Sequence, residues 1–139
     1  MDGRWFHDMS GEQACIATFM RQGSGAMVVA LGGRNDWALL GVFSPDAPRP
    51  SATQTIQVSL TQTGDPPAIV NAFSLPLAWD RDHSGLVVFA VPSAGALIDG
   101  MLDAQSFDVA VKGKRIANVA WTGGHAARDE LAACVAGRS

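Results

Sequence analysis

The sequence predicts an α+β, mostly β domain: an antiparallel, sandwich-like sheet of about seven or eight strands with two short helices, near residues 93–102 and 125–136. Three observations predict it. Apolar and polar residues alternate over 55–61, 107–111 and 117–121, the period of a strand with one wet face. Short apolar runs are separated by glycine-bearing turns, as in a meander of hairpins. Apolar residues take helical spacing only late in the chain, at Ala94, Leu97, Ile98, Met101 and Leu102 and at Ala127, Leu131, Cys134 and Val135.

Residues 14–20 are apolar and partly β-branched and read as the first strand, closed by a turn at 21–25. Residues 27–31 read as a buried strand, Gly32-Gly33-Arg34-Asn35-Asp36 as a turn, and 37–43 as the next strand. Pro45, Pro48 and Pro50 make 44–54 a solvated connection. In 55–61, Ile56, Val58 and Leu60 point one way and Gln57, Ser59 and Thr61 the other. Residues 63–67 turn the chain into an apolar extended run, 69–77, where Pro76 marks an edge or strand end. Residues 79–84 form a polar loop and 85–91 another apolar strand. Ser93 is placed to cap the first helix, which Gly100 weakens, so that helix depends on packing. The 107–121 segment, with Gly113 in its turn, is the clearest hairpin. Thr122-Gly123-Gly124 breaks it before the last helix, which Gly137 ends.

With 139 residues, the chain fits a single domain, residues 1–139, large enough to fold without metal or dense disulfides. A hydrophobic share of 47% and a charged share of 17% exclude disorder as the main state. A net charge of -3 argues against nucleic acid as a partner, and no apolar run approaches the roughly 20 residues that span a bilayer. Arginine outnumbers lysine strongly, Lys112 and Lys114 being the only lysines, and alanine is abundant, the bias of a GC-rich bacterial genome. The four tryptophans, Trp5, Trp37, Trp79 and Trp121, are expected at core or half-buried strand positions.

Cys15 and Cys134 both lie among apolar neighbours. One reading is a disulfide tying the first strand to the last helix, which would constrain the unfolded chain by roughly 4–5 kcal/mol and imply an oxidising compartment. The other is a pair of buried free thiols. Residues 1–5 carry neither a basic nor an apolar leader segment, so the disulfide reading expects a signal peptide upstream of Met1, and the thiol reading a cytoplasmic protein.

Motifs that would carry chemistry are few. Asp80-Arg81-Asp82-His83-Ser84-Gly85 opens like a calcium loop, but the position that needs a bidentate glutamate is Val91. The safer reading is a polar turn. His83 beside Asp82, or His125 with Asp129 four residues on, has the composition of a general base with an orienting carboxylate. No nucleophile elbow, phosphate loop, dinucleotide fingerprint or zinc-ligand pattern occurs. Arg4, Arg21, Arg34, Arg49 and Arg81 fall mostly in turns and read as a solvated rim. No metal and no cofactor is expected.

The order of an alternating strand at 56–60, an apolar strand, a short helix with Ala96-Leu97-Ile98, a hairpin over 107–121 and a closing Ala/Leu-rich segment at 127–134 resembles the invasion-associated locus B family of small secreted proteobacterial proteins. Its members usually carry further mid-chain cysteines, which this chain lacks. The resemblance implies an exported, β-rich accessory domain and supplies no catalytic residue. The expectation is therefore a non-enzymatic periplasmic or secreted binding or accessory module, acting on an unknown protein or small molecule. One alternative is a small hydrolase-like enzyme using Asp82 and His83 or His125. The other is a cytoplasmic oligomeric scaffold with free thiols. Homo-oligomerisation stays open in all three.

Overall fold

The period-two pattern is realised as one long antiparallel sheet. A computed structural model describes residues 3–8, 14–78 and 84–137. Among these, nine strands and two helices follow in order: β1 (Arg4–Asp8), β2 (Cys15–Arg21), β3 (Ser24–Ala30), β4 (Ala38–Ser44), β5 (Gln54–Gln62), β6 (Ala68–Ala78), β7 (Gly85–Val91), α1 (Ala94–Asp99), β8 (Gln105–Val111), β9 (Lys114–Trp121) and α2 (Gly124–Ala136). The strands lie side by side as β1-β2-β3-β4-β7-β6-β5-β8-β9. The sheet curls until β9 packs across the interior onto β3 and β4, which gives the two facing layers of a sandwich from a single ladder.

Alternation decides which side chains face inward. Ala17 and Phe19 of β2, Val28 of β3, Leu40 and Val42 of β4, Val87 and Phe89 of β7, Val58 and Leu60 of β5, Phe107 and Val109 of β8 and Trp121 of β9 are all buried in one core. The surfaces of β2 to β4 nearest the closing layer are built from alanine: Ala17, Ala26, Ala30 and Ala38 are each 0% exposed. These small side chains leave room for β9 and α2 to come close. The opposite face carries a second, smaller cluster of Phe43, Leu86 and Val88, flanked by Met20, Met27, Leu39 and Leu75. A one-residue bulge in β9 lets both Ile116 and Ala117 be buried. Two hairpins turn in two residues, Gln22-Gly23 and Lys112-Gly113, with all four at positive φ. That is the turn whose twist matches its strands and which places glycine second.

The two helices form near the expected positions. Ser93 Oγ accepts the Ala96 amide at 3.2 Å and donates to the Arg34 carbonyl at 3.1 Å, so the cap also ties α1 to the β3–β4 turn. The helix ends at Asp99 rather than near residue 102. Leu102 is drawn away, its amide donating to Gln105 Oε1 and its carbonyl accepting Trp121 Nε1–H. It is consequently exposed, while Ala94, Ile98 and Met101 keep the buried stripe. α2 buries Ala127, Leu131 and Val135. Three features depart from the expectation. β1 precedes residues 14–20, which the sequence pattern makes the first strand. Trp37, expected in or near the core, is 56% exposed, because Ala38 takes the inward position and alternation turns its neighbour out. Pro76 marks neither an edge nor a strand end: it lies inside β6, which continues to Ala78 between β7 and β5, and it sits where β6 slips register against β7 between Ser74 and Ala78, an irregularity that a proline tolerates. Among the described residues no helix is long and apolar enough to cross a membrane.

Candidate functional site

The last helix is fastened to the first strands. Cys15 opens β2 on the inward face, fully buried. Cys134 comes from the last turns of α2. They form a disulfide with Cα atoms 6.1 Å apart, and no free cysteine is left. One turn earlier on the helix, Glu130 Oε2 lies 3.2 Å from His7 Nδ1 of β1. Trp5, two residues before His7 on the same face of β1, donates its indole N–H to the Thr122 carbonyl at 2.6 Å. Its ring packs against Phe19 and Trp121, with centroids 5.4 and 5.1 Å away. Trp121 stacks edge-on with Phe107 at 5.0 Å. The disulfide, the His7–Glu130 contact and the aromatic cluster hold α2 against the first strands.

A cleft lies elsewhere, at the far end of β5. β5 pairs with β6 along 54–60. With β8 it pairs only from Ser59 to Gln62, because β8 turns back at Lys112-Gly113. Among the described residues, 54–58 of β5 thus have no strand on their second side. A cleft of about 640 Å³ opens there, lined by Ile56, Val58, Ile69, Ala110, Val111 and Lys112 among others. Its volume is in the range of ligand pockets, and its walls are mainly aliphatic with a lysine at one end. Ile69, on β6 beside it, is 66% exposed.

The polar groups singled out from sequence do not converge. Asp80, Asp82 and His83 lie outside the described residues. His125 is exposed at the start of α2, where its amide donates to Asp103 Oδ1 at 3.1 Å. His125 is thus an exposed residue of the first helical turn rather than the partner of Asp129: its ring nitrogen is 4.0 Å from Asp103, and Asp129 sits by Arg128 Nε at 3.3 Å. Arg34 is a structural tie rather than a free rim charge. It makes a two-pronged bond to Asp99, at 2.6 and 3.3 Å. That hydrogen bond, with the guanidinium charge, holds the Asp99 carboxyl below its ordinary value and Arg34 above its own. Arg115 is likewise paired, with Asp108. Among the described residues no group of three or more His, Cys, Asp or Glu side chains is placed to hold a metal.

The feature that sequence reasoning missed is the unpaired half of β5. Its signal is long-range: it depends on where β8 turns relative to β5, which no local pattern states. No protein-family model, no curated protein and no solved structure matches this chain.

Proposed function

We propose that the chain is a binding or accessory module that works in an oxidising compartment, the periplasm or the cell exterior, and catalyses no reaction itself. The Cys15–Cys134 disulfide carries this reading: cytosolic reductants keep such pairs open, and persistent structural disulfides belong to exported proteins. Two further observations support it. The cleft beside β5 is mainly aliphatic and its lining holds no acid–base pair, which suits recognition better than proton transfer. The strand and helix order that resembles the invasion-associated locus B family has the same implication of an exported accessory domain.

Cell fractionation of the native producer, with thiols trapped by alkylation before lysis, tests the proposal. The expected result is a chain released with the periplasmic or extracellular fraction and carrying no alkylated cysteine. Two alkylated cysteines on a chain that stays with the cytoplasm would overturn it.

A further inference from the structure

The cleft beside β5 combines three properties. The first is an open ladder. In an antiparallel strand alternate residues present both N–H and C=O to the same side, so residues 54–58, paired among the described residues only with β6, offer unused backbone donors and acceptors along about 17 Å. The second is an aliphatic lining on both sides of the edge, with Ile56 and Val111 above buried Val58 on the inward side and Ile69 on the outer face beside Ser59. The third is charge. The segments that border the cleft, 54–61, 68–76 and 109–114, contain no aspartate or glutamate, although the chain as a whole has a net charge of -3. They contain both of its lysines: Lys112 lines the cleft, and Lys114 follows two residues on as the first residue of β9. Both are exposed at the hairpin tip, and among the described residues neither takes part in an ion pair, whereas the adjacent Arg115 is neutralised by Asp108.

We infer that this edge receives an extended acidic peptide as an added strand, lying in line with β8 beyond its turn, with apolar side chains on the aliphatic lining and carboxylates at Lys112 and Lys114. The open backbone decides between ligand classes. A peptide supplies matching donors and acceptors along the edge, while an acyl chain would cover those groups and leave them unpaired. The charge then decides which peptide, since like charge at the lysines is repelled and carboxylates are attracted. The inference rests on the reading of the chain as a binding module and names its partner class. It can fail without touching the disulfide and the compartment, which the thiol and fractionation result alone decides.

The test is NMR titration of the full chain with a capped seven-residue peptide alternating valine and glutamate, beside a matched valine–lysine peptide and dodecanoate. The acidic peptide is expected to bind with a Kd on the order of 100 μM, as a short strand on a small surface should. Amide shifts should be confined to 54–58 and 110–114. The Lys112→Ser/Lys114→Ser variant should weaken binding at least about five-fold at low salt. Peptide N-methylated on one edge should lose binding while peptide methylated on the other keeps it, a comparison that leaves the protein unaltered. Any of four results would overturn the inference: no shift at millimolar peptide, in which case the lysines only guard an edge against aggregation; equal binding of the lysine peptide; indifference to N-methylation on both edges; or dodecanoate shifting these amides where the peptide does not.

Discussion

Replacing both cysteines, Cys15→Ala/Cys134→Ala, removes the covalent ring without adding a polar atom to the core. The two residues are 119 apart in sequence. In the chain-entropy model a ring of that size costs the unfolded state about 16 cal/mol/K, or about 5 kcal/mol at 25 °C. Unfolding entropy scales at about 2.1 cal/mol/K per residue, so the 139-residue chain loses about 0.29 kcal/mol per degree near its midpoint. The quotient is a fall in Tm of about 17 °C. Cys15 is fully buried, so the smaller alanine adds a cavity cost to the same side. Circular-dichroism melts of oxidised wild type, wild type in reductant and the double alanine variant measure it. The last two should coincide within a few degrees, both far below the first. Urea titration should show a larger m for the variant, because its unfolded state is freer to expand. A fall of less than about 5 °C would refute the argument, since α2 would then be held by packing alone and the ring would constrain little.

Three other outcomes are expected. A Cβ added at Gly124 would run into the Leu102 carbonyl and the Trp121 indole nitrogen, so Gly124→Ala should cost about 2–4 kcal/mol by chemical denaturation and disturb tryptophan fluorescence. Lys112 holds a left-handed φ of 51°, which asparagine tolerates better than lysine. Lys112→Asn should therefore raise stability by about 0.5–1 kcal/mol while weakening binding of the acidic peptide, which separates the turn's two roles. Asp99 has its carboxyl lowered by the Arg34 hydrogen bond, so the stabilisation is complete above its ordinary value of 3.8 and is lost as pH falls through the lowered folded-state value. Melts over an acid series should show a steeper low-pH decline for wild type than for Asp99→Asn; parallel curves would contradict this.

Much of the architecture is legible in single residues. Ile56, Val58 and Leu60 face inward as their alternation says, and Phe107, Val109, Val119 and Trp121 do the same across the last hairpin. Ser93 caps its helix, and Ala127, Leu131 and Val135 bury together, because these are local rules of capping and periodicity. What escaped is non-local. β1 is five residues, Arg-Trp-Phe-His-Asp, and becomes a strand only because β2 offers an edge. Leu102 leaves its helix because Trp121 and Gln105 claim its backbone. Cysteine spacing alone allows either a disulfide or two free thiols; the pairing follows from the topology that lays α2 against β2. For the cleft, the aliphatic residues of 56–60 were visible, but the missing partner beside 54–58 follows from the offset between β5 and β8.

The Cys15–Cys134 bond also sets how the domain bears load. Tension applied to whatever precedes Cys15 and follows Cys134 passes through one covalent link, bypassing the folded loop between them. Of the 139 residues only the 14 before Cys15 and the five after Cys134 can be drawn out, about 65 Å of slack against nearly 500 Å for the open chain. Oxidised, the domain acts as a nearly inextensible link; reduced, it becomes a long tether whose ladders peel one after another.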